Sequence, residues 1–240
     1  MNRVLAVAVA AVVLVAGVAA FSLLPAPSQD REQLYQMSSL NALVHGDYRG
    51  AGTVGSLLSH GGVGLGTFEG LDGEMIVIDG RCYQASADGA VREMSPSAVV
   101  SFAQVTFFDA DGTVPLTGRL STAAAEDLPL QSLPSEDAFF VITIHGTFDN
   151  MTVRSVPKQS EPYPPLSDVV ANQTIFHYPG VTGTVVGLWS PAFTTGLSSA
   201  GFHFHFISDD RTVGGHVLSF DLTDLEAQWD QTLRYVVELP

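Results

Sequence analysis

Short runs of apolar residues, separated by glycine, aspartate and proline, make up most of the chain after residue 46. Several runs alternate apolar and polar positions with a period of two, which is the pattern of a strand with one buried face. Turn dipeptides such as Asp72-Gly73 and Asp79-Gly80 separate neighbouring runs. This pattern predicts strands at residues 63–68, 74–79, 82–87, 99–108, 139–148, 152–156, 184–188, 201–207, 216–221 and 234–239.

Few segments carry the spacing of a helix. Residues 30–44 place apolar groups three and four positions apart, and Gly46 follows as a stop, which predicts a helix. Two shorter helices are predicted at residues 121–128 and 165–171. The fold class expected is therefore α+β and rich in strands, with mixed or antiparallel sheets and few short helices.

The proline-rich segment 159–165 is a candidate boundary between two halves of the folded chain. We therefore expect two packed subdomains. The first is an N-terminal β-rich subdomain at residues 31–158, and the second is a C-terminal β subdomain at residues 159–240. No repeat of fixed period is visible.

The N-terminal segment differs from the rest of the chain. Residues 4–24 are apolar apart from Ser22, Arg3 precedes them, and residues 25–30 have the composition of a linker. The run is longer than the apolar core of most signal peptides and long enough to span a bilayer. A cleaved signal peptide and a retained membrane anchor both fit. Either one predicts export, with the folded part outside the cytoplasmic membrane.

Composition narrows the class of partner. Hydrophobic residues make up 46% of the chain and charged residues 15%, which argues against disorder. The formal net charge of -15 would repel a phosphate backbone, so nucleic acid is excluded as an expected partner. Cys82 is the only cysteine, so neither an intrachain disulfide nor a cysteine-rich metal site can form.

Histidines supply the strongest chemical pattern, in the run Gly201-Phe202-His203-Phe204-His205-Phe206-Ile207. In a strand His203 and His205 share one face, and the three phenylalanines share the other. The phenylalanine face predicts a core contact. The imidazole face is then free to line a polar site.

His216 follows after a stretch rich in turn formers, so a hairpin is the simplest connection. If Ile207 pairs with Gly214, His205 lies opposite His216 on the same face, with their Cβ atoms about 5 Å apart. A slip of one residue would move His216 to the other face. Three imidazoles with an open position suit catalytic Zn²⁺, although other divalent transition metals also accept such ligands.

Several blocks, in order from about Leu34 to Val217, resemble the acetolactate decarboxylases of bacteria and archaea. The histidine run followed by Gly214-Gly215-His216-Val217 resembles the zinc motif of that family. The block Leu34-Tyr35-Gln36-Met37-Ser38-Ser39-Leu40 resembles the opening helix of the family. The resemblance also extends to four further blocks: Gly66-Thr67-Phe68, Leu71-Asp72-Gly73-Glu74, Val153-Arg154-Ser155-Val156-Pro157 and Gly183-Thr184-Val185-Val186-Gly187.

The resemblance implies a reaction and a set of site residues. Acetolactate would lose CO₂ to give acetoin, with zinc held by His203, His205 and His216. Arg154 and Glu74 match the family's arginine and glutamate, and Thr67 matches a threonine that would contact the substrate. Family members also form dimers of β-rich subunits. They carry an acidic residue in a C-terminal tail, and Glu238 lies in a strand-like run and is not assigned that role.

The chemistry needs groups of this kind. Loss of CO₂ pushes an electron pair toward the ketone oxygen and gives an enediolate, whose charge a zinc ion would stabilise as a Lewis acid. Arg154 could hold the carboxylate with two hydrogen bonds before it leaves. Glu74 could deliver the proton to carbon.

Composition alone favours other roles for these residues. By that measure Arg154 is an ordinary surface cation and Glu74 a solvated residue at the start of a strand.

Other functions also use such histidines. A cupin-like barrel has His-x-His but needs a glutamate soon after it, which is absent here. A carbonic-anhydrase-like site usually has a longer separation between the His-x-His pair and the third histidine. An exported protein that only sequesters metal would need the histidines without Arg154 or Glu74.

Overall fold

The computed structural model describes residues 31–239 of the chain. The predicted export or anchor segment and its linker lie outside these described residues. Within them, no helix is long and apolar enough to cross a lipid bilayer. The expectation of a strand-rich fold with few short helices is confirmed, because thirteen strands accompany four short α-helices in the described part of the chain.

The elements follow one another along the chain with short connections. The strands are β1 Gln33–Met37, β2 Gly52–Thr53, β3 Val63–Phe68, β4 Glu74–Ile78, β5 Arg81–Ala85, β6 Val91–Glu93, β7 Val99–Thr106, β8 Gly112–Ser121, β9 Phe139–Ser155, β10 Thr174–Ser190, β11 Gly201–Ser208, β12 Gly214–Thr232 and β13 Arg234–Glu238. The helices are α1 Leu40–Val44, α2 Val54–Leu58, α3 Thr122–Ser132 and α4 Leu166–Val170, with a 3-10 turn at Ala192–Thr194.

The first sheet has the strand order β13-β1-β7-β3-β4-β5-β6, with β2 paired to β7. Its strands are antiparallel except for β1 and β13, which pair in parallel. One face packs against α2 through buried residues such as Leu57, Val77 and Val105. The other face is turned toward the second sheet.

The second sheet has the strand order β11-β10-β9-β12-β8, and β11 also pairs with β12 over three residue pairs. This extra pairing closes β9, β10, β11 and β12 into a ring. Its inside is filled by aromatic and aliphatic side chains, among which the Phe148 ring contacts those of Phe206 and Phe220 edge to face, with centroids 5.6 and 5.5 Å apart.

The two sheets pack against each other through two apolar clusters. Ile76 of β4 meets Val186 and Ile207 of the second sheet in one cluster. Leu65 of β3 meets Leu188 of β10 in the other. Residues on this shared boundary are shielded from water by both sheets, so polar groups placed there lie in a weakly polar environment.

The helix predicted at residues 30–44 is wrong, and so is the helical form expected for the block that begins at Leu34. Residues Gln33–Met37 form strand β1, and only Leu40–Val44 are helical. Strand β1 lies between β13 and β7 and buries both faces, so it lacks the alternation that marks a half-buried strand. Ser38, with a φ of 65°, ends the strand, and Ser39 caps α1.

The sheets divide the chain at a different place from the predicted seam at residues 158 and 159. Strand β9 before that seam and β10 after it pair with each other along most of their length. The change from the first sheet to the second falls between β7 and β8, and β13 returns to the first sheet. Residues 31–240 group as one compact unit.

Candidate active site

The histidine hairpin has the predicted register. His205 pairs with His216, Phe206 with Gly215 and Ile207 with Gly214. Phe204 and Phe206 belong to the apolar core inside the ring, so the imidazoles of β11 point the opposite way, toward the first sheet. The strand and turn patterns of the sequence thus place the histidines correctly.

Two glycines allow the close packing on which this arrangement depends. A Cβ at Gly187 would lie 2.3 Å from the Phe204 ring, so β10 can pass beneath that ring only without a side chain. Gly215 has a φ of +151°, and a Cβ there would lie 2.7 Å from the Arg154 carbonyl oxygen. Gly215 therefore lets β12 approach β9 immediately before His216.

The three imidazoles converge on one point. Nε2 of His203 lies 3.1 Å from Nδ1 of His216, which lies 3.3 Å from Nε2 of His205. Nitrogens bound to one tetrahedral zinc ion at the usual bond length are about 3.3 Å apart. Among the described residues, these three histidines form the group that could hold a metal ion, because their ligand atoms all lie within 4.8 Å of one another. The residues present therefore fit a tetrahedral divalent ion.

The tautomer of His205 agrees with this arrangement. Its Nδ1 lies 2.7 Å from the backbone carbonyl oxygen of Met75 in β4, so Nδ1 carries the proton and donates it to that oxygen. The lone pair of Nε2 then faces His216 and His203. A backbone carbonyl behind a ligand histidine is a common way to fix the orientation of the ring.

The environment keeps the imidazoles neutral. Burial, and to a smaller extent the Arg154 cation, lowers the pKa of His203 to about 4. Burial is also the main cause that holds the pKa values of His205 and His216 well below their usual range, with His203 and Arg154 adding to it. At neutral pH all three rings therefore offer lone pairs, which is the form that binds a metal.

Arg154 and Glu74 meet next to the histidines, although they come from different sheets. Arg154 of β9 is directly paired with His216 of β12, so both side chains leave the same face. Its guanidinium donates to Oε1 of Glu74 at 2.6 Å, and the other carboxyl oxygen of Glu74 lies 3.5 Å from Nε2 of His205. The structure thus brings both predicted residues to the metal-ligand cluster.

Burial and the Arg154 cation act on the Glu74 carboxyl in opposite directions. Its side chain is 7% exposed, and this burial raises its pKa above the usual range, while the Arg154 cation opposes the rise. A carboxyl group beside an arginine would otherwise be expected to stay ionised. The buried position next to the second sheet therefore favours the protonated form more than the contact with Arg154 alone would.

Thr67 also lies at the site, paired with Glu74 across strands β3 and β4. Its hydroxyl donates to the Gly73 carbonyl oxygen at 2.7 Å. That bond uses the only proton of the hydroxyl, so toward a ligand Thr67 presents an acceptor.

A small cavity opens between these polar groups and an apolar wall. Its volume is about 80 Å³, large enough for a few non-hydrogen atoms and too small for a dinucleotide cofactor. The polar side holds the three histidines, Arg154, Glu74 and Thr67. The wall is formed by Leu40, Leu43, Leu71, Phe102, Val156 and Leu166.

Neither this wall nor the role of the Met75 carbonyl was predicted from the sequence. Leucine, valine and phenylalanine are ordinary core residues, and only the approach of α1 and α4 to the histidines turns them into a cavity lining. The other four histidines do not join the metal-ligand cluster; His145, for example, contacts Asp209 at 3.2 Å on the surface. Glu238 lies in β13, where its carboxylate accepts a hydrogen bond from Tyr35.

Comparison with known proteins gives a consistent result. Residues 34–240 match the family model described as alpha-acetolactate decarboxylase. The curated alpha-acetolactate decarboxylase of Methanosarcina mazei is 40% identical over 207 residues, which cover 86% of this chain and 72% of that protein. The enzyme of the same name from Bacillus licheniformis is 37% identical, over 87% of this chain and 83% of that protein.

A solved structure agrees with the sequence relatives. The crystal structure of alpha-acetolactate decarboxylase from Bacillus subtilis strain 168 superposes with a TM-score of 0.84 at 34% identity. The match covers 87% of this chain and 89% of that one. On these similarities, over most of the chain and in both sheets, the protein belongs to the alpha-acetolactate decarboxylase family.

Proposed function

We propose that the protein decarboxylates 2-acetolactate to acetoin and CO₂ with a zinc ion held by His203, His205 and His216. The observation that carries this proposal is the spacing of the three imidazole nitrogens, which face Arg154 and Glu74 in one small cavity. Family membership supplies the reaction class, that of a carboxy-lyase. A bound zinc ion would supply Lewis-acid stabilisation of the negative charge that develops on the substrate's ketone oxygen.

Arg154 binds and orients the carboxylate of the substrate. Its guanidinium has five N–H donors, and the hydrogen bond to Glu74 uses only part of them. A pair of parallel hydrogen bonds to the substrate carboxylate fixes the bond that breaks relative to the ketone. Carbon dioxide is neutral, so the attraction disappears once that bond is broken and release is not opposed.

Glu74 moves the proton that completes the reaction. When the bond between the hydroxyl-bearing carbon and the carboxylate breaks, its electron pair forms a carbon–carbon double bond, and the ketone oxygen becomes an enediolate oxygen. The electron pair then returns to the carbon that lost CO₂, and that carbon takes a proton from Glu74. Water must reprotonate Glu74 before the next turnover, so one proton is consumed for each acetoin formed.

The remaining lining determines how the substrate lies. Thr67 can accept a hydrogen bond from the substrate hydroxyl, because its own proton is committed to Gly73. The apolar wall opposite offers contacts for the two methyl groups of acetolactate. The same wall limits the cavity to a small substrate.

The decisive experiment combines metal analysis with an assay. Full-length protein is purified, its metal content is measured, and acetoin and CO₂ release from acetolactate is followed with and without a chelator. We expect about one zinc per chain and loss of activity with the chelator. Arg154→Ala should keep the metal and lose at least about 100-fold in kcat/KM. Metal without acetoin from the wild-type protein would contradict the proposal.

Export and dimer formation complete the proposal. The apolar segment at residues 4–24 supports an extracytoplasmic location, either secreted or membrane-anchored. The family resemblance supports a homodimer. Fractionation of cells and N-terminal sequencing of the product test the first inference, and light scattering of the purified protein tests the second.

A further inference from the structure

Helix α1 forms part of the cavity wall, although it is too short to be stable alone. It has five residues, of which Leu40 and Leu43 line the cavity. Isolated helices need about 12–15 residues to be even marginally stable in water. The position of these two leucines therefore depends on contacts that α1 makes with its surroundings.

The start of α1 is held by the backbone of the loop before β11. The Leu40 and Asn41 amides donate to the carbonyl oxygens of Leu197 and Gly196 at 2.9 and 2.8 Å. These amides belong to the first turn, where no partner exists within the helix. The loop packs closely, because a Cβ at Gly196 would lie 2.7 Å from the Asn41 side chain.

A fully buried glutamine ties this loop to the strand that leads into α1. The side-chain amide of Gln36 in β1 donates to the carbonyl oxygens of Ser38 and Leu197, at 2.7 and 2.8 Å. Its own carbonyl accepts from the Tyr235 hydroxyl of β13. Leu197 therefore accepts from Gln36 and from the first residue of α1 on the same oxygen.

Other buried polar groups hold the next residue of the loop. Ser198 contacts the Gln104 side chain at 3.1 Å and the Ser190 hydroxyl at 2.8 Å. Gln104 is paired with Gln36 across strands β7 and β1, so the two amides lie side by side between the sheets. Burying an amide is costly unless its hydrogen bonds are made, so these groups allow few alternative positions of the loop.

We propose that Gln36 is a positioning residue that holds helix α1 in place as part of the apolar wall of the substrate cavity. It does so through the Ser38 and Leu197 carbonyls. This inference rests on the proposed function, because it assigns Gln36 an effect on substrate binding. Gln36 is absent from the residues that line the cavity, so it acts only through α1.

The expected signature is a change in KM rather than in kcat. Leu40 and Leu43 contact parts of the substrate that do not react, and such contacts are equally strong in the ground state and the transition state. Removing them weakens binding without slowing the chemical step. The histidines, Arg154 and Glu74 do not depend on α1 for their own hydrogen bonds.

The test compares two variants of the full-length, metal-loaded protein. Gln36→Met removes both amide donors while keeping a side chain of similar volume. Leu57→Ala is the control. Leu57 belongs to α2 and is buried on the face of the first sheet turned away from the second, so its truncation should lower Tm without touching α1. We expect Gln36→Met to raise KM about tenfold, with kcat within about twofold and zinc content unchanged. Leu57→Ala should leave KM unchanged.

Hydrogen exchange supplies a readout that does not depend on activity. Each variant is measured at a temperature the same number of degrees below its own Tm. The Leu40 and Asn41 amides should then exchange at least about tenfold faster in Gln36→Met than in Leu57→Ala. If the wild-type protein makes no acetoin, the proposed function fails, and the exchange result alone decides whether Gln36 holds α1.

Two results would overturn the inference. One is unchanged exchange of α1 in Gln36→Met. The other is a fall in kcat or zinc content at constant KM. If Gln36→Met does not fold, Tyr235→Phe takes its place, because it keeps the ring and removes the hydroxyl that orients the Gln36 amide and that also bonds Gln104. It should raise KM about threefold, and an unchanged KM and exchange rate in that variant would overturn the inference equally.

Discussion

At the scale of single residues, the site depends on pairs that cross from one sheet to the other. Glu74 of β4 contacts Arg154 of β9 and His205 of β11, and the Met75 carbonyl orients His205. Each of these contacts joins a strand of the first sheet to a strand of the second. A substitution on one sheet therefore changes the chemistry of groups on the other.

Glu74→Gln tests the proton transfer separately from the architecture. The amide oxygen of glutamine can still accept from Arg154, so the geometry should be kept while the acidic proton is lost. We expect kcat to fall about 10²- to 10⁴-fold, with zinc content and KM nearly unchanged. The measurement is steady-state acetoin formation with metal analysis of the same sample. Wild-type kcat in this variant would exclude Glu74 as the proton donor.

At the scale of elements, the histidine hairpin could be predicted from the sequence because its register follows from a period of two. Strand β1 could not be predicted, because a strand buried on both faces shows no alternation. The long strands β9, β10 and β12 were predicted only in fragments. For β9, two strands were predicted, at residues 139–148 and 152–156, whereas one strand runs continuously through the gap between them.

The site was predictable to a different degree for each kind of residue. Spacing alone identified His203, His205 and His216. Arg154, Glu74 and Thr67 were identified only through the family resemblance, because an isolated charged or hydroxyl residue has no local pattern. The apolar wall was not identified, since its residues gain a role only from the packing of distant segments.

The hairpin register can be tested by changing the length of its loop. Insertion of one glycine after Asp209 should move His216 to the opposite face of β12 and reduce zinc binding to well below one ion per chain. The matched control is Asp209→Gly, which introduces the same residue at the same place without changing the length. Equal zinc content in both proteins would show that the register does not determine the site.

At the scale of the whole molecule, the metal ion should contribute to stability as well as to chemistry. Three imidazoles with lone pairs turned toward one point would share a bound metal ion as their common partner. A ligand that binds only the folded state stabilises it by about 2.7 kcal/mol at a hundredfold excess over its Kd. Chelation should therefore lower Tm, and added zinc should restore it. His216→Ala should show a Tm that does not respond to either treatment.

A buried carboxyl remote from the histidines gives a second test at this scale. Asp230 of β12 is 3% exposed, and burial raises its pKa to about 7, with the nearby Asp111, Glu32 and Asp109 adding to the rise. The folded protein therefore keeps a proton that the unfolded chain has released. Because the folded state binds this proton more tightly than the unfolded state, the free energy of unfolding falls as pH rises from about 4 through about 7.

Asp230→Asn should remove this loss of stability at high pH. The amide oxygen can still accept from the Asp109 backbone amide, as Asp230 does at 3.2 Å. We expect the variant to be more stable than wild type by roughly 1–3 kcal/mol at pH 8, with a smaller difference near pH 4. Urea unfolding of both proteins at pH 4 and at pH 8 measures the difference in their free energies of unfolding. A difference between the proteins that does not change with pH would show that burial does not perturb this carboxyl.

The parallel pairing of β1 with β13 has a consequence for how the protein is made. Tyr35 and Glu238, which bond across this pair, are 203 positions apart along the chain. Contacts of such separation form late, because a long loop must close first. Until β13 arrives, β1 presents an open strand edge to other chains. Refolding yield should therefore fall with protein concentration, and the late docking of β13 should set the time during which the chain is at risk of aggregation.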